Sequence, residues 1–271
     1  GNRSTYYKYL RRQPAAREQE IQLLKRRILE IYAQTDKRLG PRKMKLCLAR
    51  EYCISISEGR VYRLMNQMNL PKMSTVKPPK PKSCPENSAN CVNLLAQQFR
   101  QPAPNMVWVC DFTYVPVGGR FCYICAILDL YARKVIACRV SRRIDRFLAI
   151  STLRDAVRRR GVSRGVMFHS DRGSQFTSAD FRKELDALHM VQSFSKKGHP
   201  YDNAVMECFF KYLKKEELNR RHFRTLEQLQ QSLVSYIAGF YNSSRPHSHN
   251  NGLSPNQMET QFFNRFTCPL Y

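Results

Sequence analysis

Apolar positions recur at helical spacing through the first seventy residues. Ile21, Leu24, Ile28 and Ile31 repeat every three or four residues, which predicts an amphipathic helix from Arg17 to Tyr32 with Lys25, Arg26 and Glu30 on its outer face. Gly40-Pro41 closes that unit and opens another, since proline suits the first helical turn. A second helix is predicted from Arg42 to Tyr52, with Met44, Cys47 and Leu48 as its core stripe. After a break at Cys53 to Ser57, Ser57 is placed to cap a third helix running to Met68. Val61, Leu64, Met65 and Met68 then face inward, and Arg60, Arg63, Asn66 and Gln67 face outward. A short helix is also expected from Ser4 to Leu10.

Helical periodicity stops at Pro71. Residues 74–105 are expected to be a linker, because Lys77-Pro78-Pro79-Lys80-Pro81-Lys82 favours extended, unpacked backbone. From Met106 the pattern becomes that of strands: Met106 to Tyr114, Arg120 to Leu128 after the Gly118-Gly119 turn, and Arg133 to Val140. Short turns make these three consecutive antiparallel strands. A helix from Asp145 to Arg160 follows, then a strand from Gly165 to His169 and a helix from Ser178 to His189. A short strand from Val191 to Ser195 and helices from Asp202 to Glu217 and Thr225 to Asn242 complete the series. The order β-β-β-α-β-α-β-α is that of a ribonuclease H-like α/β fold: a mixed five-stranded sheet with flanking helices, here preceded by a small all-α region. The expected division is a basic helical region at 1–73, the linker, a core at 106–242 and a C-terminal tail at 243–271.

Charge sharpens this picture. The 271 residues include 46 Lys+Arg against 21 Asp+Glu, a net charge of +25. An excess this large implies a polyanionic partner, because neutralising phosphates and releasing counterions drives nucleic-acid binding. Residues 1–82 alone carry +14. Within that stretch, residues 41–70 form two helices about a short break, the form of a helix-turn-helix. The second exposes Arg60, Arg63, Asn66 and Gln67, side chains of the types that read guanine and adenine edges. The bland alternative is a helical hairpin with a solvated face. No run of about 18 apolar residues predicts a membrane span. No signal peptide is visible, and the ten Cys lack framework spacing, so reduced thiols and no structural zinc are expected. Gly1 stands where an initiator Met would, which points to an internal cut or a downstream reading frame.

Three carboxylates sit inside distinct motifs. Asp111 lies in Trp108-Val109-Cys110-Asp111-Phe112-Thr113, and Asp171 in His169-Ser170-Asp171-Arg172-Gly173-Ser174-Gln175-Phe176. Glu207 lies in Tyr201-Asp202-Asn203-Ala204-Val205-Met206-Glu207, with 35 residues between it and Asp171. The predicted elements put them on the first strand, just after the fourth, and on the late helix. Acids held at the DNA surface of so basic a chain point to metal binding. Two Asp and one Glu suit a pair of Mg²⁺ ions clamping the attacking and leaving oxygens of a phosphodiester. Asp129, by contrast, is expected to fix the turn after the second strand. Along the late helix, Asn203, Glu207, Lys211 and Lys214 share one face, while Val205, Phe209, Tyr212 and Leu213 form the core side. Lys196 and Lys197 precede that helix in a loop. His169 is read equally well as a group orienting a carboxylate or as a satisfied strand-end residue. Gly173 is expected to permit a tight turn, and Gln175 to bond DNA or backbone.

Together with Tyr241-Asn242-Ser243-Ser244-Arg245-Pro246-His247, these signatures resemble the DDE transposases of bacterial insertion sequence family three, relatives of retroviral integrases. The resemblance covers about residues 40–258. It implies a catalytic, metal-binding triad of Asp111, Asp171 and Glu207 using Mg²⁺, with Mn²⁺ as substitute. It also implies that Lys214 contacts the element's end, and that Arg245, Pro246 and His247 pack the tail and touch DNA. Gly198-His199-Pro200 departs from the triplet that relatives often carry there. The expected partners are double-stranded DNA, both terminal inverted repeats and target, and a second copy of the chain, in a bacterial cytoplasm at the nucleoid. The implied route is copy-out, paste-in, with an upstream segment fused by frameshifting. The rival readings are a ribonuclease H-like nuclease or resolvase, which would lack the basic helix-turn-helix, and a catalytically silent DNA-binding regulator. A viral-type integrase would need a His/Cys zinc module, for which no ligand set is seen.

Overall fold

The structure, a computed structural model, describes residues 15–71, 91–162 and 165–267. The chain divides into two compact units, residues 1–73 and 74–271. The helix expected from Ser4 to Leu10 and the Lys/Pro run at 77–82 lie outside the described residues.

The first unit holds helices α1 (Ala16–Gln34), α2 (Pro41–Tyr52) and α3 (Glu58–Gln67). Leu24, Ile28, Ile31, Met44, Cys47, Leu48, Val61 and Leu64 form its core. Ile21 and Met68, expected inside, are only half-buried. Cys53 ends α2 in the left-handed region (φ 54°), and the Ser57 side chain accepts from Arg60 N (3.3 Å), so a tight break separates the last two helices. Outside, Tyr52 and Arg27 both donate to Glu30 Oε2, tying α1 to α2.

The second unit is built on a five-stranded sheet of order β3-β2-β1-β4-β5. Its strands are β1 (Val107–Val117), β2 (Arg120–Asp129), β3 (Lys134–Ser141), β4 (Met167–Ser170) and β5 (Val191–Phe194). The first three pair antiparallel; β4 runs parallel to β1 and β5 parallel to β4. Helix α4 (Arg146–Arg160), short α5 (Ser174–Thr177) and α6 (Ala179–Ala187) cover one face. There Trp108, Ile127, Leu153, Phe168, Phe176 and Phe181 make a dense core whose last three rings stack 5.3–6.2 Å apart. Helix α7 (Ala204–Glu216) packs along β1, and α8 (Leu226–Val234) packs on β3. This is the ribonuclease H-like arrangement.

Three sequence expectations change here. Residues 91–105 are not a free linker. Leu95 is buried, Leu94 N and Leu95 N donate to Ser193 Oγ (3.0 and 3.1 Å), and Phe194 N donates to Val92 O (2.8 Å). The helix expected from Thr225 to Asn242 is α-helical only to Val234; Ser235–Tyr241 forms a π-helical stretch, with Asn242 N and Arg245 N bonding five residues back. The tail carries a further helix, α9 (Pro255–Thr267), docked on the sheet unit. Its buried Glu259 is bridged by Arg160 (2.7 Å) and Lys134 (2.7 Å). Among the described residues no helix is long and apolar enough to cross a membrane.

Candidate active site

β1 carries Asp111 at its middle, opposite Ala126 of β2. β4 lies parallel beside it, with Val109 facing His169, so the chain leaving β4 delivers Asp171 next to Asp111. Helix α7 brings Glu207 from its first turn. The three carboxylates, with Arg172, Ser195, Lys196, Lys197 and Asn203, line one open cleft of about 330 Å³. Desolvation first, and then the negative charges of Asp171 and Glu207, hold the Asp111 carboxyl well above the usual carboxylate range, against the hydrogen bond from Phe112 N and the pull of Lys214. The cleft lining itself brings the three acids together.

Small devices fix each acid. Asp111 Oδ1 accepts from Phe112 N (2.7 Å) and Asp171 Oδ1 from Gly173 N (3.0 Å). Gly173 has ordinary φ; a Cβ there would stand 2.7 Å from Gln175 Oε1 and 3.0 Å from Asp171 Oδ1, so a larger residue would push both side chains aside. Glu207 is placed by the chain before α7, a single 3₁₀ turn over Pro200–Asn203. Asp202 anchors that turn. Its carboxylate accepts from Asn93 Nδ2 (2.8 Å), Gln97 Nε2 (2.8 Å) and Lys196 N (2.9 Å). Against the cost of burial, these bonds and the charge of His199 keep its acid below the usual range.

His169 is fully buried and works as a bolt. Nε2 lies 3.1 Å from Asp202 O, which can only accept, so Nε2 carries the proton. Nδ1 then accepts from Ser193 Oγ (2.9 Å), whose oxygen already takes two backbone N–H groups. Burial pushes this imidazole down to about 4, so it stays neutral while joining β4, β5 and the start of α7. Of its two sequence readings, the satisfied strand-end residue is the one the contacts support.

The expected DNA-contact residues separate into groups. Arg63, Asn66 and Gln67 are exposed on α3, whereas Arg60 is half-buried and paired with Glu20 (2.9 Å). Lys196 and Lys197 are exposed at the cleft rim, and Lys211 is exposed on α7. Lys214 stacks over Tyr114 (4.5 Å), two turns beyond Glu207. Asn203 is buried; its Nδ2 reaches Cys110 O (3.4 Å), and its Oδ1 has no hydrogen-bond partner among the described residues.

Arg245 is a correction. It is 2% exposed, bonded twice to Glu216 (2.7 and 2.9 Å), and its guanidinium covers the Tyr212 ring (4.1 Å). It cannot touch DNA; it closes the core beneath α7. His247 is buried with its ring edge-on to Tyr241 (4.7 Å), and Asn242 binds both Val135 N (3.1 Å) and Val135 O (2.8 Å). The Tyr-Asn-Ser-Ser-Arg-Pro-His segment is thus structural. Gln175 is likewise buried and does not face DNA. Asp129 does fix its turn, accepting from Tyr131 N (2.9 Å) and Asn105 N (2.7 Å).

Sequence reasoning missed Asp202 and Arg172. The Arg172 guanidinium binds Ser195 O (2.8 Å) and Cys91 O (3.4 Å), pinning the cleft rim. Both lie inside the quoted motifs, directly beside residues that were singled out, and that adjacency was the available signal.

Could the cleft hold divalent metal? Its donors are carboxylate oxygens, and Asn203 Oδ1, without a partner among the described residues, is a further oxygen beside them. The residues fit the group, although no three ligating side chains among the described residues are already drawn together as a cage.

A ribonuclease H-like sheet with acids gathered on one cleft defines a polynucleotidyl transferase of the integrase kind. Integrase core domain models match residues 101–200 and 207–263, and an HTH-like domain model matches residues 18–78. The chain is 31% identical over 250 residues to the transposase for insertion sequence element IS904 of Lactococcus lactis, covering 92% of this chain and 98% of that one. It is 33% identical over 254 residues to the IS600 uncharacterized 31 kDa protein of Shigella sonnei, covering 94% and 93%. Over 169 residues it is 39% identical to transposase InsF for IS3A of Escherichia coli, covering 62% and 59%. The chain belongs to the DDE transposases of insertion sequence family three.

Proposed function

We propose that Asp111, Asp171 and Glu207 are the catalytic and metal-binding triad of this DNA transposase, nicking the element's terminal inverted repeats and joining them to target DNA. The observation that carries the assignment is the convergence of β1, the end of β4 and α7 on one cleft lined by all three acids. These residues would hold two Mg²⁺ ions, or Mn²⁺ in their place. When bound, such a pair supplies activation of the attacking hydroxyl and stabilisation of the leaving 3′-oxygen.

The chain's own residues do the rest. Lys196 and Lys197 at the rim, with Lys211 and Lys214 along α7, offer cations to the phosphates on either side of the scissile one. Asn203 lines the cleft and holds a buried acceptor with no partner among the described residues. The Asp202 and His169 bonds keep the α7 start rigid, so that Glu207 meets Asp111 and Asp171 in one geometry. Arg63, Asn66 and Gln67 on α3 read base edges of the inverted repeat from the first unit, with Arg60 a weaker candidate because Glu20 engages it. In this reading residues 41–70 form the helix-turn-helix and residues from 91 onward belong to the catalytic unit. The active form is a homodimer on DNA holding two ends, at the bacterial nucleoid, following the copy-out, paste-in route.

The test is strand transfer with duplexes carrying the repeats that flank the gene, in Mg²⁺, Mn²⁺ or chelator. Metal-dependent joining that disappears in Asp111→Asn, Asp171→Asn and Glu207→Gln, with end binding retained, supports the triad. Joining that survives these substitutions overturns the triad; end binding without joining in any metal points either to a regulator or to a catalytic unit that needs an upstream segment.

A further inference from the structure

The turn between β1 and β2 meets the loop before α8. Val117 bridges Phe223, Gly118 N donates to Phe223 O (3.0 Å), and a Cβ on Gly118 would stand 2.8 Å from Arg224 O. From the other side, Arg142 Nη1 donates to Val117 O (2.9 Å). These contacts gather Arg120, Arg142, Arg143 and Arg224, all exposed, around one hairpin tip. The nearby acids do not offset them. Glu217 is buried and engaged by Arg221 and Ser232, and Asp145 caps α4 through Leu148 N. Glu227 is exposed and senses Arg142, one negative charge among four positive ones. A strong local excess of arginine at an exposed tip fits a phosphate backbone.

The tip is joined to the cleft by a basic track. Helix α7 follows β1 from Glu207 and presents Lys211, Lys214 and Lys215 on the way. From Asp111 to Val117 the strand advances roughly 20 Å. At about 3.4 Å per base pair that span equals roughly six base pairs.

We propose that this arginine-ringed hairpin tip grips the backbone of the element's own end, about six base pairs inside the terminal phosphate at the cleft. The inference rests on the triad reading, which sets the zero of that distance. A duplex that enters the cleft and follows α7 arrives at the tip, so the contact would set how far the end is inserted.

The test uses the full chain bound to duplex ends longer than one helical turn, read by phosphate-ethylation interference. It compares the protein with Arg120→Gln/Arg143→Gln/Arg224→Gln and with the corresponding triple Lys variant. Arg142 is left intact because it supports the hairpin backbone. Interference about six base pairs in should vanish in the Gln variant and persist in the Lys variant, while terminal interference stays. The slope of log affinity against log salt should fall by roughly three. An unchanged pattern and slope in the Gln variant overturns the proposal, as does a change confined to target DNA. Because the readout is binding, joining that survives the acid substitutions counts against the triad and not against the tip.

Discussion

Replacing Arg245 by Ala tests whether its charge serves the fold. Arg245 and Glu216 are each about 2% exposed at their side chains, joined by two hydrogen bonds, with Tyr236 Oη donating to the same carboxylate (2.8 Å). Burial works against the guanidinium charge, but the bonds and charge of Glu216 more than offset it and hold Arg245 above its ordinary value. Removing the arginine strands a buried carboxylate, which costs about 3–5 kcal/mol. Loss of the stacks on Tyr212 and Tyr241 acts in the same direction. For a unit of this size, each kcal/mol is worth about 2–4 °C, so the catalytic unit should melt roughly 6–20 °C lower. The assay is thermal unfolding of the full chain by circular dichroism, alongside the salt dependence of end binding at low temperature. The double variant Glu216→Gln/Arg245→Met should recover much of the loss, because no lone charge is left inside. A single variant that melts normally yet binds DNA with a weaker salt dependence would falsify the structural role and return Arg245 to the DNA surface.

Three further outcomes follow from the contacts. Gly173→Ala should leave the melting temperature nearly unchanged, since Gln175 Oε1 can swing away, yet lower strand transfer at least tenfold by displacing Asp171; normal transfer rates would sink that reading. Asn242→Ala should destabilise by about 2–3 kcal/mol in denaturant titration, because both polar groups of Val135 lose their partner in a buried position. Gly118→Ala should cost at least about 1 kcal/mol, since residue 118 sits at φ +56° against Arg224 O, and should also weaken end binding by moving the 223–224 loop; wild-type stability would contradict the close approach.

Some of this protein could be read directly from one dimension. Hydrophobic spacing marks α1 to α3, the three-strand meander and α4, because helix and strand periods are local properties of the chain. The three acids were also visible, since each lies in a run of residues whose types make sense only together. Ser57 as a cap and Asp129 as a turn anchor were legible for the same reason: both act on backbone groups two to three residues away.

What failed shares one cause. Arg245 looks like a surface cation in its own segment, and only the approach of Glu216, 29 residues earlier in the chain, turns it into a buried one. Residues 91–105 read as linker because their hydrogen-bond partners, Ser193 and Asp202, are a hundred residues away. The tail was undervalued because Glu259 finds Arg160 and Lys134 only after the sheet exists. His169 stayed undecided until β5 supplied Ser193 and the α7 turn supplied a carbonyl. Local sequence determined the elements, the excess of positive charge and the identity of the three acids. Which charges are buried, which are left exposed, and how the three acids come to line one cleft were decided by tertiary structure, because desolvation and Coulomb forces depend on distance in space and not along the chain.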